Sequence, residues 1–484
     1  MTAPYPGAGL WMLLALGTLV TTTGMPVWTL LIGTATLFAA GGWSLGLMDV
    51  SVLSAVSGRA LGLLEHDLLQ ALPLYVFVGV LLQRLTVADS LFSTLAWVTR
   101  RSGAGTSMAA FGVGALVAPM NGSVASSSAL LARLVAPRLG QMNAAKATAL
   151  ISVSSTIGVV VPPSLVLILL GDAMLRAHTE ASNLPGYVLG QRIVNTQDIF
   201  HAALVPAACI VLLWLAVAWW QGRTGPAISP TRQEQHPQWA LTAAVTIAIV
   251  ALLGAVFVGR IFAVEAAATG AMALLGTAVL TRALPWSAWQ SVLSDTLHLS
   301  GALFALLLGA TTFSLVFRLW GTDVWITDAV LQSPLSPTAT AALVLLAVAL
   351  CAWVLDAFEM IFVIIPIVAP PLIARLGDAQ QAAVLLLLVL QLSFLVPPMG
   401  YAVMVARARA GLHTASLRAT LTALLPYLVA QCAITVLVFL QPWTVHQLDT
   451  PSPATSDEPT LSAQEVEQQM REMADQALQP DAKP

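Results

Sequence analysis

Two proline pairs set the terms for this chain. Val161-Pro162-Pro163 interrupts one long apolar run, and Val396-Pro397-Pro398 interrupts another. Adjacent prolines remove two amide donors and leave carbonyls without their helical partners. In hydrocarbon those groups must be re-satisfied, so backbone broken at membrane depth lines a cavity or lies inside protein. Neither run can be an ordinary spanning helix. The setting is a membrane, because the 484 residues are 58% hydrophobic and only 9% charged. Soluble domains carry about 25% charged residues.

Both breaks sit in matching surroundings. Asn121 lies 41 residues before Pro162, and Asp356 lies 41 before Pro397. Val135-Ala136-Pro137 has a counterpart in Val368-Ala369-Pro370, and one offset near 235 residues relates all these landmarks. Val-Pro-Pro alone is cheap in a Val-rich chain, but three landmarks at one offset argue for an internal repeat. Broken hydrophobic segments at matching places in two halves point to the binding site of a carrier.

A crossing needs about 20 mostly apolar residues. On that measure spans are expected at 8–23, 26–42 and around 68–82, with 43–67 interfacial. Residues 106–140 read as a re-entrant hairpin with a polar tip, 145–172 as a broken helix, and 173–200 as an extracytoplasmic loop. Spans follow at 201–221, 239–259, 262–282 and 297–319, with a linker between the halves at 220–238. The second hairpin is expected at 340–376, the second broken helix at 380–408 and the last span at 418–441. By role, 1–105 and 201–339 are scaffold, 106–172 and 340–408 are the two halves of a transport domain, and 409–448 holds the last span. The polar, acidic stretch 449–484 is expected to be a disordered tail. Five spans between the hairpins, an odd number, turn the second half upside down. The expected fold class is an all-α polytopic membrane protein, an inverted-topology repeat of about ten spans plus two re-entrant hairpins. With both termini periplasmic, twelve of the twenty basic residues face the cytoplasm.

The first polar tip is Asn121, Gly122 and Ser123, followed by Ser126, Ser127 and Ser128. Hydroxyls and exposed carbonyls at a hairpin tip suit a hard cation such as sodium. Ser154, Ser155, Thr156 and Gly158 of the adjacent broken helix would complete such a shell. A lone serine there would be packing, since small residues let membrane helices approach closely. Asp356 occupies the position of Asn121 in the second half, with Glu359 on the same helical face. Carboxylates inside an apolar hairpin are functional by default. A helix N-cap is also open for Asp356, and solvation near the tip for Glu359. Gln391 and Ser393 correspond to Thr156 and Gly158. Half-helix N-termini at the breaks would offer amides to an anion, so the substrate candidates are Ser126, Pro162, Glu359 and Pro397. Arg133, Arg138, Arg375 and Arg407 are either carboxylate partners or interfacial anchors. No Walker loop appears, the net charge of −3 offers no basis for nucleic-acid binding, and the three cysteines have no metal or disulfide spacing.

NGSVASSSAL, SSTIGVVVPPS, the Asp356 segment, LQLSFLVPPMG and GMPVW near residue 24 together resemble the large membrane subunit of tripartite ATP-independent periplasmic transporters, over residues 10 to 443. That resemblance implies an elevator-type carrier in the bacterial inner membrane. It also implies uptake of organic acids coupled to Na+, with a small four-helix membrane subunit and a soluble periplasmic binding protein as partners. By position, one ion site would involve Asn121, Gly122, Ser123, Ser155, Thr156 and Gly158. The other would involve Asp356, Gln391, Ser393 and the backbone before Pro397. The sequence departs from the family at Ser393 and Val396, where Gly and Thr are common. A stand-alone anion symporter and a membrane-embedded enzyme are the alternatives.

Overall fold

The computed structural model describes residues 5, 7–47, 54–65, 67–121, 124–135, 143–161, 164–184, 194–224, 238–396, 400–410 and 416–449. Among these the regular structure is helical throughout. The first stretch holds α1 (Ala8–Thr23), α2 (Val27–Ser44), α3 (Ser54–Leu64), α4 (Asp67–Arg84) and α5 (Val87–Thr99). The first hairpin is α6 (Gly105–Asn121) and α7 (Val124–Val135), and the first broken helix is α8 (Ala144–Val160) and α9 (Leu165–Ala181). Then come α10 (Thr196–Arg223), α11 (Trp239–Phe257), α12 (Ala263–Leu280), α13 (Trp286–Leu319) and α14 (Thr322–Leu331). The second hairpin runs down α15 (Pro337–Ala352) and returns through a short α16 (Ala357–Glu359), a π-helical turn at Met360–Ile364 and α17 (Ile365–Leu376). The second broken helix is α18 (Ala379–Ser393) and α19 (Tyr401–Ala410), and α20 (Leu417–Leu440) is the last span.

Six of these helices are long and apolar enough to cross a membrane, Val27–Ser44, Thr196–Arg223, Trp239–Phe257, Trp286–Leu319, Ala357–Leu376 and Leu417–Leu440. Counting each bent pair as one span raises the number to eight, and shorter apolar helices of 10–17 residues accompany them. The protein is an integral membrane protein. Local sequence explains the helix limits. Asn143 Oδ1 accepts the Ala145 amide at 2.9 Å to start α8, and Asn195 and Asp198 form a reciprocal capping box at the start of α10. Gly24, Gly321 and Gly377 take positive φ where helices end or begin.

The halves match helix for helix. The elbow between α4 and α5, bent by 63°, lies 235 residues before the elbow between α13 and α14. The packing is reciprocal. The returning arm of the first hairpin, α7, lies against α19, and the returning arm of the second, α17, lies against α9. Likewise α8 packs on α18, and α10 on α20, where Trp214 Nε1 donates to the Tyr427 carbonyl at 3.0 Å. Such crossing is what an inverted repeat produces.

Burial separates centre from rim. Every α8 residue from Thr148 to Val160 is buried, as are all but one residue of α18. By contrast α11 buries only Ile249 and Val256. The broken helices therefore form the core, and α11 is left for lipid.

Two expectations need correction. The segment 173–200 is not a loop throughout, because α9 continues to Ala181 and α10 begins at Thr196. Its polar residues misled: Ala173, Met174, Ala177 and Ala181 are buried at helical spacing, while Glu180 pairs with Arg318 at 2.9 Å. A separate helix, α5, fills residues expected only to flank the third span. The expected tail lies outside the described residues apart from Asp449.

Candidate ion and substrate site

The first half of the site rests on backbone contact between α6 and α8. A Cβ at Gly158 would lie on the carbonyl oxygen of Ala118, closer than real Cβ atoms come. A Cβ at Gly114 would lie 2.6 Å from the carbonyl oxygen of Ser154. Gly158 is thus the residue that lets the broken helix touch the hairpin, and no side chain could replace it without moving one of the two. Hydroxyls line the same helix. Ser155 Oγ donates to the Ser152 carbonyl at 2.8 Å and Thr156 Oγ1 to the Val153 carbonyl at 2.9 Å. Each donation uses the proton and leaves oxygen lone pairs to accept. Ser154 Oγ, and Ser128 Oγ on the neighbouring α7, are fully buried with no partner among the described residues. Ser126 is half-buried on α7.

At the break, Ser164 repairs what the proline pair removes. Its Oγ accepts the Leu167 amide at 3.1 Å and donates to the Val159 carbonyl at 3.4 Å. It both caps α9 and satisfies a carbonyl at the end of α8.

The second half uses other chemistry in the same places. Ser393 Oγ faces the Val389 carbonyl at 2.8 Å and the Ala349 carbonyl of α15 at 3.2 Å. Trp353, at the end of the descending arm, donates its indole N–H to the Val396 carbonyl at 2.9 Å, and the Gly400 amide donates to that oxygen at 3.0 Å. Gly400 is required here, since a Cβ would lie 2.9 Å from the Phe394 and Val396 oxygens.

Asp356 starts the returning arm, and its amide donates to Glu359 Oε2 at 3.0 Å. The N-cap reading of Asp356 holds. Glu359 is 6% exposed, so the alternative of a solvated side chain at the tip is overturned. It is held by the backbone of the turn it closes. The π-helical turn follows at once, and Ser314 of α13 donates to its Phe362 carbonyl at 3.3 Å. Turns of this kind recur at functional sites because they leave backbone groups unpaired.

The halves meet at Gln391 and Thr156. Gln391 Nε2 donates to the Thr156 carbonyl at 3.2 Å, and both residues are fully buried. These are equivalent positions of the repeat, and equivalent positions touch only where the pseudo-two-fold axis passes. The structure therefore brings Thr156 and Gln391 together, sets Gly158 on the first hairpin and Ser393 on the second, and places Asp356 with Glu359 at the second tip. Gly122, Ser123, Pro162 and Pro397 lie outside the described residues, as does the side chain of Asn121, the last residue of α6. Two of the four arginines, Arg133 and Arg375, act as anchors, and Arg138 lies outside the described residues. Arg133 reaches the Gln83 carbonyl at 2.5 Å and Asp89 at 2.8 Å, tying the first hairpin to the α4–α5 elbow. Arg375 donates to the Val330 carbonyl at 2.7 Å and to that of Leu331, tying the second hairpin to the end of α14.

Three residues in this architecture were missed in the sequence: Ser164, Trp353 and Gln431. Gln431 carried a signal, being a buried amide in an otherwise apolar last span.

Two hairpins and two broken helices, interleaved about one axis in a lipid-facing frame, define a membrane carrier. The family profile described as tripartite ATP-independent periplasmic transporter, DctM component, matches residues 12–444, and the chain belongs to that family. It is a transporter component, as the two Pro-Pro segments and the Asn-Gly-Ser cluster suggested. Among solved structures, the crystal structure of the Alcanivorax borkumensis YdaH transporter, described as revealing an unusual topology, superposes with a TM-score of 0.59 at 13% identity. The match covers 91% of this chain and 100% of that one, and shows likeness of fold. No curated protein matches the chain.

Proposed function

We propose that this chain is the carrier subunit of a system that imports a small organic anion, a carboxylate, with Na+ as the coupling ion. The observation that carries it is the pair of buried hydroxyls, Ser128 and Ser154, which have no partner among the described residues, on the packed helices α7 and α8 of the first half. A buried polar group without a partner costs about 1–3 kcal/mol, which a bound ion or water would offset. An all-oxygen surround fits a hard cation. Ser155, Thr156 and the Asn121–Ser123 tip would add ligands in the first half, and Asp356, Gln391, Ser393 and carbonyls before Pro397 in the second. The start of α9, past Pro162, would offer first-turn amides to a carboxylate, with Ser126, Glu359 and the Pro397 break nearby in the same scheme.

The hairpins and broken helices move as one body against the scaffold of α1–α5 and α11–α14, in an elevator motion across the bacterial inner membrane with both termini periplasmic. A soluble binding protein delivers the substrate, and a small four-helix subunit completes the membrane part. Uptake in proteoliposomes tests this, using the chain with its co-purified small subunit, a sodium gradient and a panel of carboxylates. Uptake that needs both sodium and the binding protein is expected. Uptake without the binding protein would make the chain a stand-alone symporter, and uptake indifferent to sodium would end the ion assignment.

A further inference from the structure

The last span reaches the axis where the halves meet. Gln431, fully buried on α20, donates Nε2 to Gln391 Oε1 at 2.9 Å and to the Leu388 carbonyl at 3.3 Å. Gln391 in turn donates Nε2 to the Thr156 carbonyl at 3.2 Å. Three helices, α20, α18 and α8, are joined by one line of amides with no water access.

The direction of that line is imposed by backbone carbonyls, that of Thr156 at one end and that of Leu388 at the other. A backbone carbonyl only accepts, so Gln391 must turn its NH2 to Thr156 and its oxygen to Gln431. Gln431 must then turn its own NH2 to Gln391. Its Oε1 is left buried with no donor among the described residues. Such an acceptor is costly to strand. A lone packing amide would turn to avoid that, whereas this one is held by Gln391 and by the Leu388 carbonyl.

From this we infer that Gln431 is a positioning residue for the ion site. It fixes the Gln391 amide, and through it the Thr156 carbonyl, at the junction of the two broken helices. The inference rests on the proposed sodium coupling. If the α20 amide is removed, Gln391 Oε1 becomes a buried acceptor without its donor. Gln391 is then free to rotate, and the Thr156 carbonyl loses its fixed partner.

The test is a sodium titration of thermal unfolding on the purified full-length chain, with potassium at equal ionic strength as reference. Gln431→Met keeps the volume and removes the donor. The sodium concentration for half-maximal stabilisation is expected to rise roughly fivefold, the worth of one buried hydrogen bond. In a Gln391→Met background the same substitution should add nothing, since Gln431 acts through Gln391. Gln381→Met is the control. Gln381 lies on the same α18–α20 seam and caps the Val438 and Phe439 carbonyls at 2.9 and 3.1 Å. It should lower the melting temperature and leave the sodium midpoint alone. A Gln431→Met midpoint within twofold of the unmodified chain, or full additivity with Gln391→Met, would overturn the positioning role while sodium coupling stands. An unmodified chain with no sodium response would instead remove the coupling itself, and this inference with it.

Discussion

The two halves of the site do one job with different materials. In the first, α8 lies directly on the hairpin arm, because Gly158 and Gly114 leave room for backbone to touch backbone. In the second, the corresponding helix α18 is held to its arm by the hydroxyl of Ser393, and the break beyond it by the indole of Trp353. The first break repairs itself through Ser164, and the second borrows its donor from the hairpin. The tips differ in the same sense. Asn121 is neutral, while Asp356 and Glu359 put two carboxylates at the other. A repeat thus conserves where the chain must be broken and held, and leaves open how. Contact packing is rigid and intolerant of side chains. Hydrogen bonds are individually weaker, and each can be removed alone.

The sharpest way to break that contrast is Gly158→Val. The new branched side chain would enter the Ala118 backbone, and overpacking of this kind costs about 1–3 kcal/mol or more. Loss of monodisperse protein is expected, measured by yield and by fluorescence-detected size exclusion on heating. Next comes Trp353→Phe, which keeps the ring and removes the donor. Among the described residues the Val396 carbonyl then keeps the Gly400 amide, so a loss of about 1 kcal/mol is expected. That would appear as a melting temperature lower by a few degrees, with uptake reduced rather than abolished. If Trp353→Phe proved as damaging as Gly158→Val, the two halves would not differ in the way described.

A third variant exchanges chemistry at the tips. Asp356→Asn gives the second tip the residue type of the first. The bond from its backbone amide to Glu359 does not need the carboxylate, so folding should survive. Removing one negative charge near a bound cation should raise the half-saturating sodium concentration about tenfold, some 1.4 kcal/mol. Sodium-dependent uptake in proteoliposomes would measure it. An unchanged sodium midpoint would take Asp356 out of the ion site.

Much of this was legible in the chain because it is local. A proline pair breaks a helix whatever surrounds it, and the 41-residue spacing from tip to break repeats without help from tertiary structure. What stayed hidden is what side chains do across distance. Trp353 and Val396 are 43 residues apart, and Gln431 and Gln391 are 40 apart. No periodicity records such pairs. Polar residues misled when their partners lay elsewhere. Asp172, Glu180 and Asp198 suggested a loop after residue 172, yet Asp172 pairs with Arg176 along α9, Glu180 with Arg318 on α13, and Asp198 caps α10. Glu359 looked able to reach solvent because its partner, the Asp356 amide, is backbone and leaves no mark in sequence.

The smallest expected effect is also the most informative about the repeat. Ser393→Gly places at the second position the residue found at the first, Gly158. Two outcomes compete. Removing the hydroxyl leaves the Ala349 carbonyl to the Trp353 amide, which donates to it at 3.1 Å, and a glycine near the end of α18 adds conformational freedom to the unfolded chain. Together these should cost about 1 kcal/mol. Against this, loss of the side chain lets α18 close on α15 as α8 closes on α6, which would recover part of the loss. A drop of a degree or two in melting temperature, with uptake retained, is therefore expected. Ser393→Ala separates the terms, because alanine removes the hydroxyl without giving glycine's room. If alanine is the more damaging of the two, the second half can adopt the backbone contact of the first. If glycine is the more damaging, Ser393 holds α15 through its hydroxyl alone, and the two halves are tied to their hairpins by means that cannot be exchanged.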